Sequence, residues 1–206
     1  MPTDKSLFFY GGMYHRLLDP QLAEGRRVAV NLVPEGSQVL DIACGTGQLS
    51  FALRAEKRCS VIGIDLSLRM LSFAAKSNQF DDVRFVHQDA TDMVDFGSSA
   101  FDYATILLLF HELPRDMQLR ALSEAVRVAR NIIIADARVP LPRNAHGLGV
   151  RFVEATFGRD HYSHFKSFLA SGGIMSILKD SGLPITVAHH SVFWHGCREV
   201  VVLSRK

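Results

Sequence analysis

Between Val39 and Gly47 the chain runs Val39-Leu40-Asp41-Ile42-Ala43-Cys44-Gly45-Thr46-Gly47, and no other stretch restricts the fold so tightly. An apolar run meets a carboxylate near its end, and a glycine-rich turn begins within a few residues. Leu49, Ala52 and Leu53 follow at helical spacing. The pattern is strand, tight turn, helix. The glycines let backbone come close to a ligand without a Cβ in the way, so a nucleotide-like ligand at the strand's carboxyl end is the expected consequence.

The charge beside the turn narrows the ligand. A dinucleotide fingerprint would be Gly-x-Gly-x-x-Gly, with a pyrophosphate on the helix N-terminus. Here the small-residue positions are Ala43, Gly45 and Gly47, and Asp41 lies where that pyrophosphate would have to sit. Two anions in a partly desolvated crevice repel. An ammonium and a sulfonium would instead find Asp41 attractive.

The run resembles motif I of the class I S-adenosylmethionine-dependent methyltransferases, with Ala43 in place of the first glycine. Three further stations resemble that family in order and spacing. Ser60-Val61-Ile62-Gly63-Ile64-Asp65 is a second apolar run closing in an acid, placed to accept both ribose hydroxyls. Leu66 and Met70 are candidates for the apolar bed under the adenine, and Ser67 for a helix cap. In Val83-Arg84-Phe85-Val86-His87-Gln88-Asp89-Ala90, the resemblance implies that Asp89 accepts from the adenine amino group and that the Ala90 amide donates to a ring nitrogen. The fourth station, Phe101 to Leu113, opens Phe-Asp-Tyr and continues as a long apolar run, with Leu107 taken as a further cofactor contact. The resemblance implies S-adenosyl-L-methionine as cofactor and S-adenosyl-L-homocysteine as product. It also implies an N-terminal segment folded over the cofactor, where Tyr14 is the candidate to close the site.

Alternating strands and helices predict an α/β fold: a Rossmann-like, doubly wound, mostly parallel seven-stranded sheet with a C-terminal antiparallel hairpin and helices on both faces. Strands are expected over 38–43, 60–65, 83–87, 101–108 and 130–136, and helices over 47–56, 67–77 and 114–129. Residues 7–32 read as helical cover with a hinge candidate at Gly11-Gly12. Helical segments are expected over 145–157 and 163–181, separated by Gly158-Arg159-Asp160 and with Ser171-Gly172-Gly173 interrupting or starting a helix. Ile185–Phe193 and Arg198–Leu203 form the hairpin. The 206 residues fit a single methyltransferase domain: N-terminal cover over 1–33, cofactor-binding core over 34–136, acceptor-side lid helices and hairpin over 137–206.

Methyl transfer from a sulfonium chiefly needs the nucleophile placed against the methyl group, and a base matters only where the acceptor must first lose a proton. His111, just past the fourth strand, is the candidate base or substrate contact, with Asp136 at the end of the fifth strand as a weaker one. His161 and His164 could share one helical face and border the acceptor pocket. No metal site is expected, since no cysteine or paired acid stands at ligand spacing, and Cys44 reads as filler of the turn.

A net charge of +2 without basic blocks argues against a nucleic-acid partner. No Asn/Asp-Pro-Pro-Tyr/Phe motif follows the fourth strand, which lowers adenine and protein-amide acceptors. Residues 38–136 look most like the group that includes the ubiquinone and menaquinone biosynthesis methyltransferases. The expected partner is therefore a small, partly apolar acceptor. Odd, unspaced cysteines, no signal-peptide pattern and no membrane-length apolar run lead to a cytoplasmic expectation. The alternatives are a non-catalytic S-adenosylmethionine-binding module and a nicotinamide-dependent oxidoreductase.

Overall fold

A computed structural model describes the backbone of residues 11–205 and the side chains of residues 22–205. After helix α1 (Gly11–Leu32), the chain alternates β1 (Gln38–Ile42), α2 (Gln48–Lys57), β2 (Ser60–Asp65), α3 (Leu68–Ser77), β3 (Val83–His87) and β4 (Phe101–Leu107). A 3-10 turn (Phe110–Glu112) leads to α4 (Arg115–Val128) and β5 (Ala129–Ala137). Then come α5 (Ala145–Thr156), α6 (Arg159–Ser171), α7 (Gly173–Ser181), β6 (Ile185–Phe193) and β7 (Arg198–Arg205).

The seven strands form one sheet in the order β3-β2-β1-β4-β5-β7-β6. β1 to β5 run parallel, and β7 enters antiparallel between β5 and β6. Strand order reverses between β1 and β4. That is the switch point where an open α/β sheet leaves a crevice at its carboxyl ends.

Strand alternation divides the core between two faces. Val39, Val61, Ile133 and Ala135 point toward Val30 of α1, Val33 just after it, and Leu49 and Leu53 of α2. Leu40, Ile42, Ile106, Ile132 and Ile134 pack on the other face with α4, α6 and α7 through Leu122, Phe165, Phe168 and Ile174. Each valine, leucine, isoleucine or phenylalanine among them, fully buried, contributes roughly 1.5–3 kcal/mol.

Local chemistry sets the helix ends. Ser67 Oγ accepts from the Met70 amide at 3.4 Å and Asn144 Oδ1 from the Gly147 amide at 3.0 Å, capping α3 and α5. Gly172, with φ +102°, separates α6 from α7 at the expected interruption. Most element ends shift by one or two residues from the sequence reading, and the start of α6 by four. Phe157 and Gly158 separate α5 from α6, and Arg159 and Asp160 already belong to α6. Asp160 sits in that helix's first turn, where the dipole favours an acid.

Candidate cofactor and acceptor site

The turn after β1 is built around left-handed backbone. Ala43, Gly45 and Gly47 have φ of +58°, +55° and +79°. A Cβ on Gly47 would lie 2.6 Å from the Phe85 ring, so glycine is required there for space as well as conformation. Gly45 is the opposite case: nothing lies within 4 Å of where its Cβ would be, so its open side is available to a ligand. The turn is tied to β2, since the Cys44 amide donates to the Ile64 carbonyl at 2.9 Å and the Gly45 amide to Asp65 Oδ2 at 2.9 Å. Asp65 Oδ1 accepts from the Ser67 amide at 2.8 Å. Asp65 is thus held rigidly at the strand end, half-buried, with lone pairs left over on both oxygens. The Cys44 thiol stays within the turn, 3.9 Å from the Gly45 carbonyl, and burial followed by the neighbouring Asp41 and Asp65 charges pushes its pKa up.

Asp41 departs from the expected direct contact. It is 2% exposed, with Oδ2 accepting from Ser50 Oγ at 2.7 Å and Oδ1 from Thr105 Oγ1 at 2.9 Å. Its lone pairs face α2 and β4, because residue 41 shares the strand face of Val39. Burial raises its pKa to about 6, the two hydroxyl hydrogen bonds oppose the rise, and the Asp65 charge adds to it. What Asp41 offers the crevice is a field. An anionic pyrophosphate would meet two acids here, whereas a cationic ligand would relieve them.

The remaining candidates cluster around the ends of β2 and β3. Leu66 is 55% exposed beside Asp65, and Met70 is half-buried one turn into α3. His87 Nε2 meets the Leu66 carbonyl at 3.1 Å, which brings the end of β3 against this segment. Asp89 Oδ1 accepts from the Thr91 amide and hydroxyl at 2.7 and 2.9 Å, while its other oxygen carries no described hydrogen bond. Ala90 is half-buried against the core, and so is Leu107, at the end of β4 on the far side of β1. Tyr14 falls on the first part of α1, whose side chains up to residue 21 lie outside the described residues.

A second cluster occupies the carboxyl ends of β4 and β5. His111 is 3% exposed, with Nδ1 2.6 Å from Asp136 Oδ1 and Nε2 3.4 Å from Glu154 Oε2. His161 Nε2 lies 2.7 Å from the same Glu154 oxygen. Arg198 NH2 lies 3.6 Å from Glu154 Oε1. Burial alone would push the His111 pKa down, but Asp136 and then Glu154 reverse this and carry it up to about 10. Glu154 shows the mirror effect: burial would raise its pKa, yet the His111 charge and hydrogen bonds hold it well below the carboxylate range. With both ring nitrogens engaged, His111 has no free lone pair with which to take a proton.

Glu154 and Arg198 were not singled out in the sequence. Their signal was available: Gly147, Val150 and Glu154 form the buried stripe of α5, and His161, Phe165 and Phe168 that of α6. A charge in an apolar stripe calls for a buried partner. The expected His161–His164 pair divides between two partners, since His164 Nδ1 meets the Glu112 carbonyl at 2.9 Å. His146 stacks on His195 at 3.9 Å, and His190 Nε2 meets Glu199 Oε2 at 2.9 Å.

Residues 39–131 match the family model described as a methyltransferase domain, the stretch that holds the turn, Asp65 and Asp89. This match, together with the relatives and solved structures that follow, supports a class I S-adenosylmethionine-dependent methyltransferase. The chain is 27% identical over 143 residues to a demethylmenaquinone methyltransferase of Bacillus licheniformis, covering 66% of this chain and 61% of that one. It is 30% identical over 136 residues to a demethylmenaquinone methyltransferase of Staphylococcus epidermidis, covering 62% and 55%. The chain thus spans less than two thirds of the length of these curated relatives.

Among solved structures, a chain of the Haloferax volcanii complex of the Trm112 methyltransferase activator with a methyltransferase aligns at a TM-score of 0.70 and 16% identity, covering 99% of this chain and 98% of that one. A methyltransferase of Aquifex aeolicus aligns at a TM-score of 0.59 and 21% identity, covering 92% and 91%. Both likenesses show the fold. The family's cofactor is S-adenosylmethionine, and the open side of Gly45, the fixed Asp65 and the exposed Leu66 fit it. Among the described residues, no helix is long and apolar enough to cross a membrane.

Proposed function

We propose that the chain transfers a methyl group from S-adenosylmethionine to a small, partly apolar acceptor, working within the cytoplasm and without a nucleic-acid partner. The observation that carries the reading is the pair of buried or half-buried carboxylates, Asp41 and Asp65, bracketing a left-handed glycine turn at the sheet's switch point. The cofactor supplies a methyl group already activated by its sulfonium charge. In this assignment Asp65 accepts the ribose hydroxyls, Leu66 and Met70 lie under the adenine, and Asp89 and the Ala90 amide meet its edge. Asp41 favours the positive end through space, while Ala43, Gly45 and Gly47 let the backbone approach.

The acceptor side then falls to the ends of β4 and β5 beneath α5 and α6. A cleft of about 450 Å³ there is lined by Val139, Leu141, Leu148 and Leu169, with Arg143 and Arg151 among its walls. Apolar walls with a few cationic groups suit a small molecule that is largely apolar and carries an acidic or phenolic group. The demethylmenaquinone methyltransferases among the relatives support this class. Because His111 is fully engaged, positioning of the acceptor rather than proton removal by this histidine is the main catalytic contribution.

Incubating the chain with radiolabelled S-adenosylmethionine and a size-fractionated cell extract tests the reading. Label is expected in the low-mass, organic-extractable fraction. Label confined to RNA or protein, or no transfer beyond a heat-treated control, contradicts it.

A further inference from the structure

The cluster at the ends of β4 and β5 holds more than an ion-pair network needs. Its side chains come from separate elements: His111 from the 3-10 turn, Glu154 from α5, His161 from α6. All are buried, and one ligand atom from each lies within 4.8 Å of the others. We propose that His111 Nε2, His161 Nε2 and a Glu154 oxygen form a binding site for a divalent first-row transition-metal ion. This inference stands independently of the methyl-transfer reading.

The donor set points to the ion class. Two imidazoles and one carboxylate on one side of a shared point suit Zn²⁺, Fe²⁺ or Co²⁺, whereas Mg²⁺ and Ca²⁺ prefer oxygen. Ligand atoms each about 2.1 Å from an ion stand roughly 3.0–3.4 Å apart in octahedral or tetrahedral geometry. The His111 Nε2 to Glu154 distance of 3.4 Å already fits. The His161 Nε2 to Glu154 distance of 2.7 Å must open by a few tenths of an ångström as a shared proton gives way to the ion.

The surroundings resemble an outer shell. Asp136 receives His111 Nδ1 at 2.6 Å, the carboxylate–imidazole arrangement that orients metal-bound histidines. Arg198 stands by the other Glu154 oxygen, leaving Oε2 to the two imidazoles. Charge balance agrees. Among the described residues, buried Asp136, Glu154 and Glu199 face the buried guanidinium of Arg198, with half-exposed His190 on Glu199. One dication supplies what protonating both imidazoles would otherwise supply. On binding, the proton on each Nε2 is displaced, to solvent from an imidazolium or to its own Nδ1 in a neutral imidazole, and no redox step is involved.

The test uses the full chain, stripped with a chelator and titrated with Co²⁺, followed by competition with Zn²⁺. One ion per chain is expected, with visible ligand-field absorption and two paramagnetically shifted imidazole N–H signals, those of His111 and His161 Nδ1. Asp136→Asn should weaken binding by about 10- to 100-fold, and His161→Ala or Glu154→Gln by at least about 100-fold. His146→Ala, on the exposed stack with His195, should leave it unchanged. Circular dichroism checks that each variant folds. Should a ligand variant fail to fold, the wild-type stoichiometry and the two shifted signals decide. Less than one ion bound at micromolar Co²⁺ and Zn²⁺, shifted signals absent, or equal uptake in folded His161→Ala and Glu154→Gln would overturn the proposal.

Discussion

Asp41→Asn should stabilise the fold while weakening the site. The carboxylate is 2% exposed and has neutral donors alone against the cost of burial, chiefly the Ser50 and Thr105 hydroxyls and then the Ser50 amide. A carboxyl moved from 3.8 to about 6 makes its ionisation cost the folded state about 3 kcal/mol at neutral pH. The sign follows from proton counts. Between pH 4 and 6 the folded chain holds a proton on Asp41 that the unfolded chain has lost. Its contribution to stability is therefore fully present below pH 4 and lost as pH rises through 6. Asparagine keeps the shape and one acceptor and has no charge to bury. Urea denaturation of both proteins at a series of pH values should give a stability difference near zero at pH 4, growing to about 3 kcal/mol above pH 6. That corresponds to a melting-temperature gain on the order of 5–10 °C at pH 7.5. Titrations shared by both proteins cancel in the difference. The same substitution should lower S-adenosylmethionine affinity by about tenfold. S-adenosylhomocysteine should lose less, since it lacks the sulfonium charge. A difference curve flat in pH would refute the burial argument.

Other sites give independent expectations. Asp65→Ala removes the proposed ribose acceptor and the Gly45 and Ser67 tethers, and calorimetry should show S-adenosylhomocysteine binding weakened by roughly 2–4 kcal/mol. Gly47→Ala forces a Cβ to 2.6 Å from the Phe85 ring at φ +79°, so chemical denaturation should show a loss of about 2–4 kcal/mol, partly restored by adding Phe85→Leu. Arg127 donates to the Phe96 and Met93 carbonyls at 2.6 and 2.8 Å and pairs with Glu124. Arg127→Ala should cost about 2–3 kcal/mol and raise hydrogen exchange over residues 93–99.

The cofactor half of the molecule was legible because its signals are local. Apolar runs closing at Asp41 and Asp65, and the one that opens at Phe101-Asp102, mark strands, and Gly45 and Gly47 mark a turn whose left-handed φ needs them. The hairpin was legible in outline, including its antiparallel last strand, and the place of β7 between β5 and β6 came from the structure. Two aspects were hidden. The direction of Asp41's side chain depends on which face of β1 meets Ser50 and Thr105, the latter 64 residues away. The engagement of His111 depends on Glu154 and His161, which only the packing of α5 and α6 on the strand ends brings together. A histidine after β4 reads as a free base until its two acidic neighbours are seen.

Calorimetric titration of the full chain with S-adenosylhomocysteine, set beside a titration with NADH, tests the central claim most directly. One saturable site for S-adenosylhomocysteine, weakened in Asp65→Ala and absent for NADH, is the result this account predicts. Saturable binding of NADH with none of S-adenosylhomocysteine would contradict it.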